Sequence, residues 1–551
     1  MKNTLLILLV LILGTTPLIA QHVGIEKSEE FDEPEYGWNK LLQLKNGNTF
    51  FFHSTKKDGI DVAVYNKKRK LVNEKTLEGK LWDASKMRQS TIVGLYEING
   101  EPVIFLVQAE DRAPTLYRMR INPNTGAVLN EQKMGHLPKM NAFAGYAIMF
   151  GHMDKMDIIV EKDPASDCYA VIYFNTQAHD RSERIKVVHY DGTHKILGQA
   201  FYESPRGAFK YLSYIGSVVD GNKRVFVTTY GYNTKSDDES SKVIVSRLNA
   251  GDTGFVHKIL DFSDDFDDTK SVMLYNRGNN KLQLLTLSYS ESKHHLISNK
   301  TDNYYFSLIS YIDPETLSLV GVKPFTTGLV NTYGKQNIDK DYEYHGMPQN
   351  MILNKDNTTT IVSEEIKLVT RTSSHGSTSK RTFLGPIGIS ELSDTGAELH
   401  GYAISKQQQA VGEFPLLYIS GRIKGLFRYP TEHVFMSRSN SNEFLSFDYI
   451  NTDKGRYVIF NDLPRNAEKD EEEENRKTVT YASETNTMCY QLNDAKMDKF
   501  YLFGQPDDKH SATFTYIESS NYNKETNTYA TMIVERDGRS KSARIAWLTF
   551  D

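Results

Sequence analysis

The sequence predicts an all-β fold made of repeated antiparallel meanders. Three observations carry that expectation. Runs of aromatic and β-branched residues recur between Asn, Asp and Gly turn signals. A strand–turn–strand pattern returns along most of the 551-residue chain. No stretch of roughly a dozen residues has a strong helical period of apolar positions.

In chain order, the first element is a targeting segment rather than part of the fold. Lys2 supplies a positive start, and 5–14 is an apolar run shorter than the ~20 residues a membrane-spanning helix needs. Pro17-Leu18-Ile19-Ala20 then leads to a small residue suited to cleavage before Gln21. Residues 1–20 are therefore expected to be a secretory signal peptide, followed by an N-terminal extension at 21–35 and a single folded domain over 36–551. No cysteine follows Ala20 directly, so the leader does not read as that of a lipoprotein. No later segment is apolar for long enough to cross a bilayer as a helix.

The first meander is NGNTFFFHSTKKDGIDVAVYNKKRKLV. Gly47 and Asp58-Gly59 supply turns, because glycine reaches positive φ without penalty. Thr49 to His53 suits one strand, and Ile60, Val62 and Val64 alternate with Asp61, Ala63 and Tyr65 in a second, with one face expected to be the more buried. Asn66 to Lys70 is polar and turn-like, and Leu71-Val72 opens a third strand.

The VYNKKRKLV portion recurs as RINPNTGAVL, VHYDGTHKIL, SRLNAGDTGFV and SYIDPETLSLV, then more loosely as GISELSDTGAEL, CYQLNDAKMDKFYL and IVERDGRSKSARIAWL. The turns sit at Asn66, Asn122, Asp191, Asn249, Asp313, Ser393, Asn493 and Asp537. Further strand candidates precede most copies, at 102–107, 157–160 with 170–174, 224–230, 281–287 and 358–363. Units of three or four strands spaced more than ~40 residues apart are the size of propeller blades and exceed the step of narrower solenoids.

On these repeats the chain resembles a β-propeller of seven or eight blades over 36–550. The resemblance is to the architecture: Trp38, Trp82 and Trp547 are the only tryptophans, so no WD dipeptide recurs, and neither kelch glycine pairs nor an aspartate box is present. The alternative reading is two β-sandwich domains divided near 328–344. A propeller implies that the last strand, at 543–550, pairs with the N-terminal segment and protects both edges. It also implies that function sits in loops at one end of a rigid scaffold.

The widest spacing between turns, from Ser393 to Asn493, contains the acidic insertion 461–478 with its Glu468 to Glu474 run. Like charges repel and order poorly, so this reads as a solvated loop, with contact to a basic partner as the functional alternative. The FNDLPRN that opens it, Phe460 to Asn466, reads as an Asx-rich turn or a ligand-orienting one. DFSDDFDD at 261–268 offers oxygen ligands for Ca2+ but lacks the spacing and central glycine of an EF-hand loop. RTSSHGSTSKR at 371–381 reads as a hairpin tip. His294-His295 would point to opposite faces of a strand, whereas His189 and His194 bracket a turn that could bring imidazoles together.

No HExxH, GxSxG or phosphate-loop motif occurs, so no catalytic, cofactor-binding or metal-binding residue is assigned. The 32 tyrosines and 27 phenylalanines mostly alternate within strands, as at Tyr173-Phe174 and Tyr304 to Phe306, and are expected between blades. A formal charge of −5 gives no basic footprint for nucleic acid. Cys168 and Cys489 are the only cysteines, either bridged or buried as free thiols. A signal peptide with so few cysteines fits an exported bacterial protein that is periplasmic, outer-membrane-associated or extracellular. The expected function is a non-catalytic scaffold for another envelope or secreted protein, or a component of an envelope assembly. The alternative is a carbohydrate-binding or carbohydrate-active protein with its site at the channel mouth.

Overall fold

The computed structural model describes residues 23–34, 37–55, 59–140, 158–175, 181–233, 242–260, 267–289, 305–372, 378–414, 417–425, 442–467, 476–493, 497–506 and 511–550. These form eight antiparallel sheets, the blades of a β-propeller. Seven blades are continuous in sequence, at 38–76, 90–136, 158–202, 211–259, 267–324, 347–411 and 448–501. The eighth joins 511–550 to the N-terminal strand Val23–Lys27, which pairs with the final strand Ser540–Phe550. The ring is thus fastened by both ends of the chain.

Eight apolar clusters, one at each junction between neighbouring blades, form the core. The first blade shows how the sequence builds them. Alternate residues of a strand point to opposite faces of its sheet. Phe50, Phe52, Val62 and Val64 therefore pack towards blade 2, while Leu41, Phe51, Ala63 and Tyr65 pack towards blade 8 with Trp547. Both faces of this blade are covered, and the expected difference between them holds in the strand at Gly59–Tyr65: Ile60, Val62 and Val64 are fully buried, whereas Asp61 on the other face is only half-buried. An unbroken circle of junctions also excludes the two-sandwich alternative. At 328–344, where that division would fall, the ten-residue helix α1 (Gly328–Asn337) lies against Gly401 of blade 6, a contact that leaves no room for a Cβ.

Each blade runs outward from its first strand, and the first strands of successive blades approach one another around the channel. Antiparallel order fixes where the connections fall. Turns from first to second and third to fourth strands lie at one end of the ring, and all other connections at the opposite end. The first seven turn motifs are third-to-fourth turns. The eighth, at Asp537, is a second-to-third hairpin, because the fourth strand of that blade comes from the N-terminus. The short-turn end carries tight Asx turns such as Asn66, whose side chain accepts from the Lys68 and Lys70 backbone amides. The opposite end carries the long connections, whose described parts include α1, 417–425 and the base of the acidic insertion at 461–467.

Candidate functional site: the occupied central channel

The segment 417–425, between blades 6 and 7, enters the channel. Its helix α2 (Tyr418–Ile423) is only six residues long, too short to persist without tertiary support. That support comes from first strands on different sides of the ring. The Lys424 carbonyl accepts from the Leu95 amide of blade 2 at 3.4 Å, and Lys424 Nζ meets Glu161 of blade 3 at 2.6 Å. Arg422 donates to the Phe447 carbonyl at 2.8 Å and pairs with Asp448 of blade 7. Only a segment lying in the middle of the ring can reach all of these.

Sequence spacing positions the polar face. Tyr418 and Arg422 are four apart and so share one side of the helix, while Ile419 turns into the core between blades 6 and 7. Tyr418 donates to Glu364 Oε2 at 2.6 Å, Ser446 Oγ donates to the same oxygen at 3.1 Å, and Lys406 Nζ lies 2.6 Å from Oε1. Lys406 and Glu364 are both fully buried, where an ion pair must offset the loss of hydration with further hydrogen bonds. Tyr529 of blade 8 donates to the second oxygen of Asp448 at 2.6 Å. Lys40 of blade 1 donates to the carbonyls of Glu518 and Ser520, at 3.1 and 2.9 Å.

Burial dominates the electrostatics of this cluster. It lowers the Lys40 ammonium to about 8, helped by the Arg422 charge and opposed by Asp448 and Glu518. It lowers Lys406, with Glu364 opposing, and raises Glu518, with Arg422 and Lys40 opposing. Burial works most strongly against the Arg422 charge, but Asp448 together with Tyr418, Tyr529 and Glu518 more than offsets it, so Arg422 is itself raised. The groups satisfy one another, and the arrangement braces blades across the channel.

Other sequence candidates take structural places. His189 is buried with Nε2 on the Gly221 carbonyl of blade 4 at 2.8 Å, and His194 Nδ1 lies 3.1 Å from the Tyr169 hydroxyl, so the rings serve different partners. No group of three metal-ligating side chains occurs among the described residues. Asn461 bonds the Phe444 and Thr515 carbonyls and accepts from Thr515 and Thr487, locking blade 7 to blade 8. Asp462 holds Arg476 at 2.8 Å, and Asn466 accepts from the Lys477 amide at 3.0 Å, closing the base of the acidic insertion. The FNDLPRN stretch thus serves as a clamp. The Glu468 to Glu474 run, His294-His295, most of 261–268 and the centre of the tip, 373–377, lie outside the described residues. Cys168 in blade 3 and Cys489 in blade 7 are buried free thiols. Tyrosines pack between blades as expected, with Tyr169 against Phe105 at 5.3 Å.

At the short-turn end a polar basin of about 830 Å3 opens between the turns of blades 6, 7 and 8. Lys355, His400, Asn451, Lys454, Asn493 and Lys524 are among its lining residues. Sequence reasoning did not find it, because it forms only where turns from three blades meet.

No known family profile matches this chain, and no curated protein is similar to it in sequence. Among solved structures, it is similar to the Cps50 (Swd1) β-propeller domain of Myceliophteria thermophila, at 9% identity over 83% of this chain and 99% of that one, with a TM-score of 0.32. It is also similar to prolyl oligopeptidase B of Galerina marginata, at 8% identity over 93% and 55%, TM-score 0.39. The polysaccharide lyase Uly1 matches at 8% identity over 83% and 90%, TM-score 0.36. The assignment to the propeller class rests on the chain's own eight blades. Among the described residues no helix is long and apolar enough to cross a membrane.

Proposed function

We propose that this protein is an exported, non-catalytic propeller that serves as an interaction scaffold in the envelope of a Gram-negative bacterium, with its partner docking at the end that carries the long connections. One observation supports this above the others. The channel, where a small ligand would enter a propeller, is occupied by residues 417–425 of the chain itself, whose charged groups are already matched. Elaboration is concentrated around that end, where a rigid ring can present it. Export is inferred from the apolar leader at 1–20, and the fold alone does not specify a partner.

The test is affinity purification of the tagged protein from its native envelope after mild crosslinking, with mass spectrometry of what accompanies it. A stoichiometric protein partner is expected. Recovery of the protein alone would overturn the scaffold reading. The carbohydrate reading is favoured by one feature, the basin between blades 6, 7 and 8, whose mixed lining of amides, amines and the carboxylates Asp356, Glu391 and Asp453 suits sugar hydroxyls. A glycan array probed with the purified protein tests it, and binding lost in a Lys454→Ala and Lys524→Ala variant would favour it.

A further inference from the structure

Blade 6 carries an arm that no other blade shows among the described residues. Its second and third strands, Thr359–Thr372 and Thr378–Leu392, run for 14 and 15 residues, against 10 and 9 for the equivalent strands of blade 2. The first strand of blade 6 pairs with the second only as far as Met347 opposite Glu364. Beyond a bulge, Ile366 to Thr372 pairs with Thr378 to Leu384 on one side, and the far edge of that third strand is covered by Gln408–Val411. Among the described residues nothing pairs with the other edge of Ile366 to Thr372. It is an open β edge beside the mouth of the occupied channel.

The charge of the arm is one-sided. From Ile366 to Leu384 the sequence IKLVTRTSSHGSTSKRTFL holds Lys367, Arg371, Lys380 and Arg381 and no Asp or Glu, in a chain whose formal charge is −5. Val369 stands opposite Arg381, and Lys367 opposite Phe383, so two cations lie diagonally on one sheet face with apolar side chains between them. Diagonal neighbours across a strand pair are close enough to interact, and like charges there are unfavourable. Lys380 is partnered by Glu413 of the flanking segment, whereas among the described residues Arg381 bonds the neutral amide oxygen of Gln409, at 2.7 Å.

Resting on the scaffold reading, we infer that this edge receives an extended acidic segment of a partner protein by β-strand addition. Backbone hydrogen bonds to Ile366 to Thr372 would supply the pairing, and carboxylates would meet Lys367 and Arg381. Edge lysines also discourage like copies from pairing edge to edge, and an acidic strand relieves that same repulsion. The alternation of cations with Val369 and Phe383 fits an incoming strand of alternating acidic and apolar residues better than a sugar chain.

The probes are a fluorescein-labelled octapeptide of alternating Glu and Val, its Lys/Val counterpart, and heparin as a polyanion without a peptide backbone. Anisotropy with the full-length protein should show saturable binding of the Glu/Val peptide alone among the peptides. Saturating peptide should slow amide exchange in Ile366 to Thr372. The Lys367→Glu and Arg381→Glu double variant should weaken binding at least about tenfold, with Lys367→Gln and Arg381→Gln as the milder pair should the reversal disturb folding. Unchanged amide exchange, equal binding by the double variant, or binding by heparin alone would each overturn the inference. A native partner still recovered with the double variant would remove the arm and leave the scaffold reading standing. Peptide binding without any native partner would do the reverse.

Discussion

At the scale of single residues, the channel is held by charges whose worth depends on their partners. Arg422 and Asp448 have side chains only 8% and 16% exposed, so removing one leaves the other buried and uncompensated. Arg422→Met is expected to lower stability by about 3–5 kcal/mol in denaturant titration, and a double change with Asp448→Asn by less than the sum of the single changes. Two of the buried histidines illustrate the response to acid. Burial lowers His257 to about 4, and burial with Arg118 and Arg120 lowers His194 to about 4. Both therefore stay neutral in the folded chain while their unfolded forms take up protons below about 6.5. Stability contributed by these groups is present above that value and is lost as pH falls towards 4. His257→Gln should flatten this part of the pH dependence of the denaturation midpoint. The strand over Thr49 to His53 was legible in the sequence. Which neighbours cover its two faces was not, because blades 2 and 8 meet it only when the ring closes.

At the scale of elements, the eight turn motifs were readable because Asn, Asp, Pro and Gly act locally. The channel segment was hidden because its partners are scattered: Leu95, Glu161, Glu364 and Asp448 converge only when the ring closes. The wide gap between Ser393 and Asn493 did signal an insertion. The acidic run drew the reading to 461–478, whereas 412–447 in the same gap supplies the segment that enters the channel. Gly425 is where this element is tightest, since its φ is +71° and a Cβ would stand 3.0 Å from that of Leu95. Gly425→Ala is expected to cost about 1–3 kcal/mol and to speed exchange of the Leu95 amide, measured by hydrogen exchange with mass spectrometry. Unchanged exchange would mean that the segment does not rest on blade 2.

At the scale of the whole molecule, closure and asymmetry decide the behaviour. Val23–Lys27 covers the edge of the last strand, and Lys27 and Arg544 both pair with Glu535, at 2.7 and 2.8 Å. A chain beginning after Lys27 should melt several degrees lower and aggregate with concentration, seen by calorimetry and light scattering, because the ring then ends in an open strand. The two ends of the ring also differ, one made of tight turns and the other of long connections, and the proposed partner belongs to the second. The most direct test is lysine crosslinking of the protein in its native envelope, read residue by residue. Partner crosslinks are expected at Lys86, Lys139, Lys335, Lys340 and Lys367, which lie at the long-connection end. Crosslinks concentrated instead at Lys67, Lys68, Lys195, Lys355 and Lys454 would place the partner on the short-turn end and contradict the account.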